Sequence, residues 1–232
     1  MNDTIVNHRE LYRLPWSLPD NAISWLEPTS ACNLACDGCY RENVASSHKS
    51  LEVVKKEVER FRELRNSDGI SIAGGDPLMH PQIVGIVRMI AEMGLKPIIN
   101  TNGGLLTKEL LRELKKAGVV GFTFHIDSKQ GRPKWKDKNE VELNELRLQY
   151  AEMLVEVGGL SCAFNSTVYE DTLHYTPELV AWRQSTLTLF MSWCLSSFVL
   201  LFLSFLLIGT LVERKSIWGC WHTLKRRSER SI

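Results

Sequence analysis

Cys32, Cys36 and Cys39 stand within eight residues, and Tyr40 follows at once. The spacing, three residues and then two, lets one tight loop present three sulfurs together. Three thiolates can hold three corners of an iron–sulfur cluster and leave one iron open to a further ligand. Two other chemistries compete. Cys36-Asp37-Gly38-Cys39 alone is a CxxC, which serves as a redox pair or as half of a zinc site. A structural zinc site takes four ligands. No second CxxC exists, Cys162, Cys194 and Cys220 are scattered, and His48 is a candidate fourth ligand. A CxxC redox protein has no use for Cys32. We favour the cluster loop; on these residues alone the zinc and thiol readings stay open.

Two further stretches have the composition of ligand-contacting loops. In Ala73-Gly74-Gly75-Asp76-Pro77 the glycines let backbone come close to a ligand, and the carboxylate accepts from a cation. Taken in isolation it reads as an ordinary turn. Asn100-Thr101-Asn102-Gly103 offers amides and a hydroxyl suited to a ribose or a carboxylate. The competing reading is a loop whose asparagines satisfy their own backbone. His125, Asp127 and Ser128 end a later strand, where they are candidates to touch a ribose, to hold substrate or, for His125 and Asp127, to act as an acid–base pair. A hydrogen-bonded structural histidine is the even alternative. Asn165 and Ser166 have the same standing. Lys129, Arg132, Lys134, Lys136 and Lys138 surround Trp135 in a basic loop, which reads as solvated.

The elements that must position these residues alternate. Ile23 to Leu26 is a short strand running into the cysteine loop. After Ser50, apolar Leu51, Val54, Val58, Phe61 and Leu64 recur at helical spacing. Gly69 to Ala73 gives a second strand. A helix opens at Pro81, carries Ile83, Ile86, Val87 and Ile90, and stops at Gly94. Pro97 to Asn100 is a third strand. Thr107 caps a helix that ends at Gly118. Val119 to Ile126 alternates, with Phe122, Phe124 and Ile126 on one face and Thr123 and His125 on the other. A long helix is expected from about Glu140 to Val157, then a fifth strand from Leu160 to Phe164 and a further helix from Pro177. Five strand–helix units in succession predict parallel strands. In closed barrels of this kind, chemistry sits on the loops at the carboxyl ends of the strands. Every motif above falls there.

These motifs, in this order from about Trp25 to Trp182, resemble those of the radical S-adenosylmethionine (SAM) superfamily. The cysteine loop with its trailing aromatic, the glycine-glycine-acid turn after the second strand and the Asn-Thr-Asn-Gly turn after the third all match. Asp76 stands where Glu is commoner. The resemblance implies an α/β fold, a partial (β/α) barrel with five clear units of six. It implies a 4Fe–4S cluster on Cys32, Cys36 and Cys39, with SAM chelated at the fourth iron. It implies reductive cleavage of the sulfonium–C5′ bond to methionine and a 5′-deoxyadenosyl radical that takes hydrogen from a substrate. Gly74 and Gly75 would lie against SAM, Asp76 would accept from its ammonium, and Asn100, Thr101 and Asn102 would contact it. Tyr40 is expected beside the adenine or packed beside the loop. An electron donor such as flavodoxin or ferredoxin is implied; the substrate is not. No second cysteine cluster follows, so an auxiliary iron–sulfur domain is not expected.

At 232 residues and a net charge of +1, the chain suits one ordinary domain with some left over, and no overall field points to nucleic acid. The polar start lacks a secretory leader, so a reducing, cytoplasmic setting is expected. We expect a lead-in over 1–22, the core over 23–184, an apolar segment over 185–212 and a basic tail over 213–232. Thr186 to Phe190 alternates and is a candidate sixth strand. The uncharged run through Val212 is long enough to cross a bilayer, for which ~20 apolar residues suffice. The basic tail would then face the cytosol and the barrel would lie outside. That conflicts with a reduced cluster. A membrane anchor on a cytoplasmic barrel, an element buried in an oligomer and an aberrant terminus are the three expectations for 186–212. The rivals to a radical enzyme are a truncated relic that holds a cluster without activity and a zinc or thiol module.

Overall fold

The computed structural model describes residues 23–65 and 67–190. Five strands, β1 (Ile23–Thr29), β2 (Gly69–Gly74), β3 (Lys96–Thr101), β4 (Gly121–His125) and β5 (Ser161–Asn165), form one sheet in chain order. Every neighbouring pair is parallel. The helices are α1 (Leu51–Leu64), α2 (Ile83–Glu92), α3 (Lys108–Ala117), α4 (Asn144–Val157) and α5 (Thr176–Phe190). Each helix packs against the next. The partial barrel expected of five units is the observed architecture, and β1 does not meet β5.

Local chemistry sets the boundaries. The Ser50 hydroxyl accepts from the Val53 N–H and starts α1. Thr107 does the same for Leu110 and starts α3, each cap being worth about 1 kcal/mol. Gly118 ends α3 at φ +105°, in the left-handed region that glycine enters without a side-chain clash. Alternation then sorts the strands. Leu26, Ile70, Ile72, Ile99, Phe122 and Phe124 bury themselves beneath the helices with Val54, Val58, Ile86, Ile90, Leu111 and Leu114. Burying a side chain of this kind stabilises by roughly 1.5–3 kcal/mol. The opposite face carries Trp25, Glu27, Asn100, Thr123 and His125, all half-buried or exposed. Register puts Asn100 beside Thr123 and His125 beside Asn165 on that face.

Three expectations change. Thr186 to Phe190 continues α5 and is not a strand; a helix already propagating from Thr176 overrides a five-residue alternation. The helix expected from Glu140 begins at Asn144, because the Asn139 side chain accepts from the Val141 and Glu142 N–H groups and holds a turn there. The basic loop is not uniformly solvated: Arg132 is buried. Among the described residues no helix is long and apolar enough to cross a membrane. The apolar run beyond residue 190, the lead-in and the basic tail lie outside the described residues.

Candidate functional site

The loop after β1 carries the three cysteines, none of them in a disulfide. Cys32 is held by a reciprocal clasp: its N–H donates to Asn43 Oδ1 at 3.0 Å and its carbonyl accepts from Asn43 Nδ2 at 2.8 Å. Gly38 turns the chain at φ +67°, and the Cys39 N–H donates to the Cys36 carbonyl at 3.3 Å. The loop also docks on the far strands. The Asp37 N–H donates to the Lys129 carbonyl after β4, and the Tyr169 hydroxyl after β5 donates to the Asp37 carbonyl, both at 2.9 Å.

The Gly-Gly-Asp turn locks onto this loop from the β2 side. The Gly75 N–H donates to the Thr29 carbonyl at 2.9 Å and the Asp76 N–H to the Ala31 carbonyl at 2.8 Å. A Cβ on Gly75 would lie 2.2 Å from the Ala31 oxygen and 2.5 Å from the Ser30 oxygen, so only glycine lets the two backbones meet. Asp76 is fully buried. Its Oδ1 accepts from the Leu78 N–H at 2.9 Å, its Oδ2 from the Asn102 N–H at 2.9 Å, and the Thr101 hydroxyl reaches both oxygens at 3.0 and 2.7 Å. Burial pushes the Asp76 pKa up, against the pull of these donors. The ammonium contact expected of Asp76 meets a carboxylate already enclosed by its own chain. A side chain one methylene shorter than Glu bonds Leu78 in the turn that follows β2 and Thr101 and Asn102 at the end of β3.

The loop after β3 closes the third side. Thr101 and Asn102 are buried. The Asn102 side-chain amide donates to Asn33 Oδ1 at 2.7 Å and lies 3.8 Å from Cys32 Sγ. Asn100 is half-buried on the open face, where its amide donates to the Ser71 hydroxyl. The three motifs therefore meet: cysteine loop, Gly74–Asp76 and Asn100–Asn102 interlock through backbone and side-chain bonds. Tyr40 lies exposed at the rim. Its hydroxyl donates to Glu27 Oε1 at 3.0 Å and approaches the Gly74 carbonyl at 3.5 Å. Glu27 also accepts from Trp25 Nε1 at 2.9 Å and pairs with Arg41. Sequence reasoning missed Glu27, although its place in the alternation, one residue beyond buried Leu26, puts it on the open face.

At the β4 end His125 is exposed and Asp127 buried, with His125 Nε2 3.0 Å from Asp127 Oδ2 and 3.0 Å from the Thr167 hydroxyl. The structure thus brings this pair together. Behind it lies a polar network. Arg132 donates to Gln130 Oε1 and to the His125 carbonyl, both at 2.8 Å. Arg147 donates to Glu140 at 3.0 Å and to the Ile126 carbonyl at 2.8 Å. Burial lowers the pKa of both guanidiniums, while the Glu140 charge supports Arg147 and the Tyr150 hydroxyl, with Cys36 and Asp127, supports Arg132.

The three free thiols on one loop are the candidate ligands of a metal group. Cys36 is pushed up to about 12, first by burial and then by the charges of Asp127, Cys32 and Cys39. Burial also raises Cys32, with the charges of Asp76 and Cys39 adding to it. These raised values keep Cys32 and Cys36 as neutral thiols near pH 7, and a metal group bound there would take them deprotonated. Among the described residues no three Cys, His, Asp or Glu side chains surround a point suited to one metal ion. His48, the candidate zinc ligand, places Nδ1 3.0 Å from the Thr29 hydroxyl, and its ring stands edge-on to His80.

The class that the structure shows is a parallel open α/β sheet with three free thiols on its first loop, and comparison with known proteins supplies the family. The family profile described as the radical SAM superfamily matches residues 26–181. The chain belongs to the radical SAM superfamily, whose enzymes bind a 4Fe–4S cluster and SAM. It is 27% identical over 180 residues to the AdoMet-dependent heme synthase of Oleidesulfovibrio alaskensis, covering 74% of this chain and 46% of that protein. It is 34% identical over 109 residues to the tungsten-containing aldehyde ferredoxin oxidoreductase cofactor-modifying protein of Pyrococcus furiosus, covering 44% of this chain and 30% of that one. The crystal structure of Streptococcus suis SuiB bound to S-adenosylmethionine superimposes with a TM-score of 0.53 at 17% identity, over 72% of this chain and 37% of that chain. The chain spans less than half the length of these relatives.

Proposed function

We propose that this chain holds a 4Fe–4S cluster on Cys32, Cys36 and Cys39 and uses it to cleave SAM reductively, opening radical chemistry on a substrate. The observation that carries the reading is the interlock of the cysteine loop with Gly75, Asp76 and Asn102, which fixes three unbridged thiols at the carboxyl end of a parallel sheet. When bound, the cluster supplies one electron to the sulfonium.

The chain's own groups do the rest. The cysteine loop gives up three thiol protons to bind metal. Gly74 and Gly75 let the turn after β2 close against the backbone of Thr29 to Ala31, which leaves bare backbone at the edge where SAM lies. Asp76 and Thr101 act from below as the brace of that floor, and Tyr40 and Asn100 reach SAM from the open face. His125 receives or returns a proton at Nδ1, with buried Asp127 orienting the ring through Nε2. A flavodoxin or ferredoxin delivers the electron. The two relatives are named for unlike modifications, so the reading stops at radical initiation.

The test is anaerobic reconstitution followed by dithionite and SAM. The expected result is about four irons per chain and release of 5′-deoxyadenosine and methionine. Cys32→Ala, Cys36→Ala and Cys39→Ala each lose the cluster. One zinc and no iron defeats the proposal. A cluster without 5′-deoxyadenosine marks an inactive cluster-binding relic.

A further inference from the structure

We infer that Asn102 is a positioning residue that raises the reduction potential of the cluster by donating its side-chain amide to the Cys32 sulfur. The inference rests on the cluster site proposed above.

The amide nitrogen stands 3.8 Å from Cys32 Sγ while donating to Asn33 Oδ1 at 2.7 Å. The side chain has no freedom to turn away. Its Oδ1 accepts from the Gly104 N–H at 2.8 Å, and its own backbone N–H is fixed on Asp76 at 2.9 Å. An amide is planar, so pinning the oxygen aims both hydrogens of the NH2 group. One serves Asn33 and the other faces the sulfur. Space is closed around them: a Cβ on Gly104 would come 2.8 Å from Asn33 Nδ2 and 2.9 Å from Asn102 Oδ1. Asn102 is buried and its contact with the half-buried Cys32 is partly covered, which limits competition from water.

Reduction adds one electron, and part of its charge spreads to the ligand sulfurs. A donor on one of those sulfurs stabilises the reduced form more than the oxidised form. Asp76 and Thr101 have a place in this scheme. They hold the Asn102 backbone, and through it the amide, against the cysteine loop.

The experiment is a redox titration of the anaerobically reconstituted protein, with dithionite donating one electron per cluster and EPR reading the reduced fraction. Asn102→Ala is expected to lower the reduction equilibrium constant about tenfold, which is 59 mV for a one-electron couple. Asn102→Asp keeps the shape and the oxygen that Gly104 needs but replaces the donor with a second acceptor, so its midpoint falls further. A fully loaded Asn102→Ala protein with the wild-type midpoint overturns the inference and leaves the cluster site standing. If Asn102→Ala holds no cluster, Asn102→Asp decides: a more negative midpoint supports the inference and an unchanged one overturns it. A wild-type chain that takes up no cluster overturns both.

Discussion

Replacing Asp76 by Asn separates a carboxylate that braces the chain from one that waits for a ligand. Two buried backbone N–H groups, of Leu78 and Asn102, and the Thr101 hydroxyl all donate to its two oxygens. Asn has one acceptor oxygen and one NH2. Whichever way the amide is turned, one backbone N–H faces another donor. A buried donor left unpaired costs about 1–3 kcal/mol. The bonds that survive lose their charge assistance, falling from roughly 1.5–3 to roughly 0.5–1.5 kcal/mol each. The Thr101 hydroxyl can rotate and recover part of this. The sum is about 2–4 kcal/mol, a large share of the ~5–15 kcal/mol by which domains are stable. Urea unfolding of the metal-free protein measures it, as a lower midpoint at constant slope. The metal-free state matters, because a residue that serves only a bound ligand leaves it untouched. A change under about 0.5 kcal/mol refutes the brace, and with it the physical reason for the enclosed carboxylate.

Gly75→Ala places a methyl 2.2 Å from the Ala31 oxygen; we expect a loss of about 1–3 kcal/mol from forced backbone separation and a fall in iron retained on reconstitution, read by unfolding and by metal analysis. His80 supplies the pH test. Its Nδ1 accepts from the Gln82 N–H at 3.1 Å and its Nε2 bonds the Lys49 carbonyl at 2.8 Å, an arrangement only the neutral ring satisfies. Burial, with His48 alongside, lowers its pKa below the ordinary 6.5. Below 6.5 the unfolded chain therefore binds a proton that the native chain refuses, so this contribution to stability is full above 6.5 and is lost as pH falls through the native value. Melting temperatures between about pH 5 and 8 should fall on the acid side, and His80→Gln should flatten that slope.

The strands and most helices were legible because each carries its own punctuation. Ser50 and Thr107 cap helices, Gly118 ends one, and Phe122, Phe124 and Ile126 alternate with Thr123 and His125 as a one-sided strand requires. Thr186 to Phe190 misled because alternation over five residues is weak against a helix already running. That the three cysteines share one loop after β1 was legible from their spacing. The work of Asp76 was not: a carboxylate after two glycines reads alike whether its oxygens face a ligand or its own chain, and side-chain reach decides. Arg132 hid in a basic loop, where neighbouring lysines made burial look unfavourable. Arg147 did leave a signal. It falls on the stripe of Leu143, Leu146, Tyr150, Ala151 and Leu154, all buried. A charge on that face needs a buried partner, which Glu140 provides at 3.0 Å.

Because strand order follows chain order, the cradle has a history as well as a shape. Everything that braces Cys32, from Thr29 through Asp76 to Gly104, belongs to the first three strands, while the contacts from Lys129 and Tyr169 are made by chain that follows. At roughly 5–20 residues per second of synthesis, the ribosome finishes the floor seconds before the far wall exists. The brace beneath Cys32 can therefore set before Lys129 and Tyr169 exist to hold Asp37, and the last contacts of the cysteine loop are the last to be made.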